Sequence, residues 1–149
     1  MIRTILVAID ASPRAAGVVA AAVEFASHFG AQVVLLRVIA IPQDFPAAGA
    51  NAPDALPAAL EQNATRDLQR LVAGRSFVRA EPPLVYPGQP WRAIVERASQ
   101  LAVDLIVVGS HGFSGWDRIL GTTASKVADR AGRNVLVVHD PEHKTTPPG

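Results

Sequence analysis

Apolar and polar residues fall in blocks along this chain. The first block, Thr4–Ile9, is apolar after its first residue and stops at Asp10. Such an unbroken run predicts a strand buried on both faces, as in parallel sheets. Ser12-Pro13 then predicts a helix start, with a hydroxyl N-cap followed by proline at the first helical position. Val18, Ala22, Phe25 and Phe29 recur at steps of three and four and form one apolar stripe. Gly30 stands where a left-handed residue would close that helix. A second apolar run follows, Val33-Val34-Leu35-Leu36, continuing to Val38.

Residues 41–57 break the pattern. Pro42, Pro46, Pro53 and Pro57 among small residues predict a long mobile loop, a length uncommon in compact domains unless functional or disordered. A helix is expected next, with Leu60, Ala64, Leu68 and Leu71 on one face. Residues 77–85 predict a weaker strand, placed at a sheet edge by Pro82-Pro83. Pro90 opens another helix with Ile94, Ala98 and Leu101 inward. Leu105-Ile106-Val107-Val108 is the clearest buried strand and runs into Gly109. A last helix starts near Thr122, and Val135-Leu136-Val137-Val138 forms the final strand.

Five strands alternating with four helices predict a single-domain open α/β sandwich with a mostly parallel sheet. The expected order is 3-2-1-4-5, with strands one and four side by side at the centre. Their outgoing connections diverge to opposite faces, and ligands of such sheets bind in the crevice at the carboxyl ends. Asp10 and Gly109 are the residues leaving those two strands. The domain is expected to span residues 1–140. Residues 141–149, with three prolines and no apolar pattern, are expected to form a frayed tail.

Composition narrows the class. At 149 residues the chain suits one domain, and 49% apolar residues are too many for a disordered protein. No apolar run is long enough to cross a bilayer, and the start is not a secretory signal. The absence of cysteine removes disulfides, zinc knuckles and thiol catalysis, and suits a cytoplasmic setting. Fourteen basic residues nearly balance thirteen acidic ones, only Lys126 and Lys144 are lysines, and no basic stripe is visible. With 5% aromatics there is little for a nucleic acid to bind or stack on, so no nucleic-acid partner is expected.

The most informative segment is Gly109-Ser110-His111-Gly112, then eight residues, then Gly121-Thr122-Thr123. Glycines let a backbone turn sharply and approach a ligand closely. Thr122 and Thr123 fall at a predicted helix N-terminus, where unpaired amides and the helix dipole attract an anion and two hydroxyls add donors. This chemistry suits phosphate. Arg118 and Lys126 lie nearby in sequence as sources of positive charge.

On these residues the chain resembles the universal stress protein family, from Thr4 to Val138. The likeness is carried by Ala8-Ile9-Asp10 ending the first strand, by Val38 ending the second, and by the glycine segment. Members that bind ATP show G-x-x-G and G-S/T separated by a spacer about one residue longer than here; members that do not bind nucleotide lack the glycines.

The resemblance implies binding of ATP, or of ADP or AMP, by a homodimeric stress or regulatory protein. Asp10, at the end of the strand that carries Ala8, would contact ribose or metal-associated phosphates. Val38 and Val108 would flank adenine. Gly109, His111 and Gly112 would line ribose and phosphates, and Gly121, Thr122 and Thr123 would clasp the outer phosphates. A carboxylate near a polyphosphate is repulsive unless a cation intervenes or it faces a ribose hydroxyl, so Mg2+ reaching Asp10 through phosphate is implied. The ligand state would bias residues 41–57. The bare apolar edge of Val135 to Val138 invites two-fold pairing with a second copy, and the resemblance implies such a dimer; the alternative is a tail folded over that edge.

Several residues also have plainer readings. Gly109 and Gly112 suit a tight connection, Asp10 an Asx-turn or cap, Thr122 an N-cap and His111 an ordinary surface position. Trp91 and Trp116 read as packing residues. Neither a P-loop nor a dinucleotide fingerprint occurs. Ser114 lacks the second glycine of the G-x-S-x-G hydrolase elbow, where Trp116 stands, and His139 and His143 lie beside Pro141, a poor place for a metal. Slow ATP hydrolysis at the same crevice would have only Asp10 or His111 as base. A third possibility is an interaction protein working through its dimer surface without nucleotide.

Overall fold

The computed structural model describes residues 1–41, 55–110 and 121–139. The elements run β1 (Thr4–Ile9), α1 (Ala15–Phe29), β2 (Gln32–Ile41), α2 (Ala55–Val72), β3 (Val78–Ala80), β4 (Leu84–Pro87), α3 (Pro90–Gln100), β5 (Leu105–Gly109), α4 (Thr122–Arg130) and β6 (Asn134–Val138). All paired strands are parallel, in the order β3-β2-β1-β5-β6, with β4 also on β2. This is the expected α/β sandwich, with β1 and β5 adjacent at its centre.

The expected third strand is two strands. Glu81 N–H donates to the Leu35 carbonyl, then Pro82 and Pro83 supply no N–H and the ladder lapses. Pairing resumes when Leu84 meets Val38. β3 and β4 therefore share one edge of β2, beside Val33 to Leu35 and beside Val38 to Ile41 respectively.

Two apolar clusters sandwich the sheet. Ile5, Val7, Val33, Leu35 and Val107 meet α1 and α2, with Val19, Ala22 and Leu68. Leu6, Val34, Leu36, Ile106 and Val108 meet α3 and α4, with Ile94, Ala98 and Val127. The central strands alternate between two helix layers, so every second residue must be apolar on each face.

Helix details shift some expectations. Regular α1 begins at Ala15, after a turn in which Ser12 Oγ accepts from Arg14 N–H and the Ser12 carbonyl from Ala15 N–H. Its buried stripe is Val18, Val19, Ala22 and Ala26. Phe29 is exposed and rests against Phe25, with ring centroids 5.0 Å apart. Gly30 closes the helix at φ 65°, ψ 31°, the left-handed geometry expected of it. On α2, Ala64 and Leu68 are buried but Leu60 is exposed, because it precedes the part of the helix that reaches the sheet. Residues 55–57, expected in the loop, begin this helix; a proline in the first turn forfeits no helical bond. The rest of that loop and the tail lie outside the described residues.

β6 pairs with β5 on one side and has no strand on its other side among the described residues. No described helix is long and apolar enough to cross a membrane.

Candidate functional site

The carboxyl ends of β1, β2 and β5 bring most of the expected site residues together. Ala8 lies between Val108 on β5 and Leu36 on β2, and Val38 follows Leu36 by two positions on the same face. Ala8, Val38 and Val108 all belong to the α3/α4 side, where Leu84 and Trp91 complete the packing. Trp91 thus has the packing role its sequence context suggested, with the Arg92 and Arg130 guanidinium groups 5.2 and 5.4 Å from its ring centroid.

Asp10 leaves β1 and folds back as an Asx-turn, its Oδ1 accepting Ser12 N–H at 2.9 Å. The carboxylate is exposed, so the turn fixes its direction without withdrawing it from a ligand. Gly109, at the end of β5, faces Val18: a Cβ built there would stand 3.3 Å from Val18 Cγ2. The glycine lets β5 leave the sheet close against α1.

Beyond Gly109, Ser110 N–H donates to the Val138 carbonyl, and Gly121 N–H donates to the Ser110 carbonyl at 2.8 Å. That second bond carries the chain's two halves of the glycine motif to one place. It sets the start of α4 against the exit of β5. Gly121, not Thr122, is the N-cap, at φ −55° and ψ 155°, and no side chain among the described residues caps the helix. Thr122 is therefore the first helical residue, which corrects its reading as an N-cap: a glycine carries no acceptor, so the first-turn amides keep their hydrogen-bonding capacity. Thr122 is exposed and Thr123 half-buried. His111 and Gly112 lie outside the described residues.

Two residues that sequence reasoning left without a role stand here. Ser110 is 3% exposed, and its buried Oγ has no hydrogen-bond partner among the described residues. A lone serine inside a glycine motif gives no hint of that burial. Arg37 on β2 pairs in register with Ile9 and is half-buried, with Nε buried and likewise without a partner. The hint was available: it is a cation inside an otherwise apolar run. Burial lowers the Arg37 pKa, while the charges of Asp10 and then Asp67 raise it. Arg37, Asp10, Ser12, Asp67 and Arg70 share a cavity of about 270 Å³ whose walls include Ile9, Pro13, Leu68 and Leu71. An apolar pocket with a few convergent polar groups is the usual form of a small-molecule site.

A phosphate-bearing ligand fits this donor set. Among the described residues the α4 terminus has no side-chain cap and offers its amides, and its N-cap Gly121 is bonded to Ser110, whose buried hydroxyl has no partner among them. A protein cage for a metal is not offered: no group of three or more His, Cys, Asp or Glu that could hold an ion occurs among the described residues.

The family model described as the Universal stress protein family matches residues 1–139. The chain belongs to the universal stress protein family. It is 32% identical over 138 residues to Universal stress protein A homolog 1 of Coxiella burnetii, covering 90% of this chain and 94% of that protein. Among solved structures it is similar to the universal stress protein UspA from Lactobacillus plantarum, at 30% identity and a TM-score of 0.69, covering 91% of this chain and 97% of that one. It is also similar to a universal stress protein solved in complex with cAMP, at 26% identity and a TM-score of 0.62, covering 93% and 97% of the two chains.

Proposed function

We propose that this universal stress protein is an adenine-nucleotide-binding regulatory protein of the cytoplasm, acting as a homodimer. ATP, or its shorter relatives ADP and AMP, is held at the carboxyl ends of β1 and β5. The observation that carries this reading is the bond from Gly121 N–H to the Ser110 carbonyl, which sets the α4 N-terminus beside a buried serine, with no side-chain cap and no hydroxyl partner among the described residues. That a relative binds cAMP supports an adenine nucleotide as the ligand class.

Gly121, Thr122 and Thr123 hold the outer phosphates in this reading, Gly109, His111 and Gly112 line the ribose and inner phosphates, and Ala8, Val38 and Val108 form the apolar side. Asp10 faces ribose. Mg2+, where it takes part, arrives on the phosphates and reaches Asp10 through them. The side of β6, Val135 to Val138, that has no strand among the described residues is the dimer surface in this reading, since a second copy would pair with its backbone by two-fold symmetry.

Nucleotide-stripped protein titrated with ATP, ADP and AMP tests the reading directly. Binding tighter than about millimolar is expected. Thr122→Val combined with Thr123→Val should weaken it about tenfold by removing two hydroxyl donors, while size-exclusion behaviour stays that of the parent dimer. No measurable affinity in the parent protein, or unchanged affinity in the double variant, rejects the site.

A further inference from the structure

We propose that Arg37 is a positioning residue: a built-in counter-cation that offsets the Asp10 carboxylate, so that the site at the carboxyl ends of β1 and β5 accepts an anionic phosphate tail without a metal ion. The inference rests on the nucleotide reading and says how this chain solves a problem that reading creates. Turned toward the ribose, the Asp10 carboxylate still carries a full charge that repels the phosphates attached to that ribose, and either a bound cation or a cation of the protein offsets it.

The geometry supplies the second solution. Register sets Arg37 against Ile9, one residue before Asp10, on the neighbouring strand. Val33 and Leu35 face the α1/α2 layer, so alternation sends Arg37 to the same side. There Arg37 and Asp10 line one cavity. Asp10 is held by its bond to Ser12 N–H, so its charge has a fixed place. Arg37 forms no contact ion pair with Asp10 or Asp67 among the described residues; Asp67 is instead 4.0 Å from Arg70. The guanidinium therefore acts across the cavity, as a field rather than a clasp. Arg37 is half-buried, so its field is screened less than that of a cation at the open surface. Asp67 and Arg70, from α2, complete two positive and two negative side chains. Removing Arg37 alone leaves the cavity net negative.

A merely structural arginine would predict something else. Its loss would weaken every ligand alike, whatever the ligand's charge and whatever metal is present. A counter-cation predicts dependence on both.

The test measures ATP and AMP affinity, each in EDTA and in Mg2+, for the parent protein, Arg37→Met, Arg37→Lys and the pair Arg37→Met with Asp10→Asn. The parent protein should bind ATP in EDTA nearly as well as in Mg2+. Arg37→Met should lose about tenfold in ATP affinity in EDTA, less for AMP, and recover most of it in Mg2+. Arg37→Lys should retain most of the affinity because it retains the charge. The double variant should return to metal-independent binding because the charge to be offset is gone. An equal loss for ATP and AMP with no Mg2+ rescue, or an Arg37→Lys as weak as Arg37→Met, overturns the proposal while leaving nucleotide binding intact. No binding of either nucleotide by the parent protein overturns the nucleotide reading and this inference with it.

Discussion

The two ends of the sheet are built differently. At the amino end, polar groups find each other. Asp104 Oδ2 accepts from both Arg3 N–H and Thr4 N–H, at 2.8 and 3.0 Å, and Asp104 N–H donates to the Thr4 carbonyl. Gln32 N–H donates to the Arg3 carbonyl, Arg133 Nε to the Val103 carbonyl, and Gly30 closes α1. At the carboxyl end, among the described residues, Arg37 Nε and Ser110 Oγ are buried without partners, α4 starts without a side-chain cap, and a cavity opens beside Asp10. Buried polar groups are expensive to leave unpaired, so such a concentration points to where a ligand completes the structure. Arg97 Nε is also unpartnered, but its two other nitrogens reach Gln100 and Glu81. Among the described residues the amino end is satisfied and the carboxyl end is not.

Both ends hang on the same central strands, and the contrast holds only if they unfold as one body. Ile106 is fully buried in the middle of β5, between the Val103 carbonyl and Gly109. Ile106→Ala should cost about 3 kcal/mol through lost burial and the cavity left behind. Urea unfolding should remain a single transition at both near- and far-ultraviolet wavelengths. A split transition would show that the two ends are separate units and would break the comparison.

The amino end was easier to read from sequence than the carboxyl end, for a physical reason. β1, β2 and β5 are dense runs of Val, Ile and Leu, and Gly30 ends a helix because a left-handed residue favours glycine; these are local signals. Pro82-Pro83 weakened the third strand visibly, but the return to β2 at Leu84 depends on Val38, more than forty positions upstream. Ser110 looks like any serine until the surrounding fold buries it. The meaning of Arg37 depends on Asp67, thirty residues further along, which α2 brings to the same cavity. The one-residue shift from Thr122 to Gly121 at the α4 cap is the ordinary uncertainty of helix ends, yet it decides whether the first-turn amides have a side-chain acceptor. Pattern locates the candidate site; contacts distant in sequence set the surroundings of its side chains.

A matched pair of substitutions sharpens the contrast. Arg133→Met removes the donor to the Val103 carbonyl and should lower unfolding stability by about 1 kcal/mol. Ser110→Ala removes a buried hydroxyl that has no partner among the described residues, and should leave stability unchanged or raise it by up to about 1 kcal/mol. Chemical denaturation of both at neutral pH decides the matter. If Ser110→Ala is as destabilising as Arg133→Met, that hydroxyl serves the fold, and the division between the ends fails.

The smallest effect is expected at Asp104, and its sign is fixed by its partners. The two backbone N–H donors, Arg3 first and then Thr4, hold its carboxyl below the ordinary carboxylate pKa, helped by the charges of the N-terminus and Arg3. A lowered native pKa means the folded state prefers the ionised group. Its contribution is complete above the unfolded-state value of about 3.9, and is lost as pH falls through the lowered native value. Asp104→Asn keeps an oxygen where both donors converge, so it removes charge while preserving the acceptor. The parent protein should therefore melt slightly higher than the variant at neutral pH, and the gap should close on acidification. Added salt should narrow it as well, because the group is exposed. Nucleotide affinity should not change, since the substitution lies at the opposite end of β5. A gap that widens as pH falls would mean that folding raises this carboxyl's pKa, and the amino end would lose its place as the satisfied one.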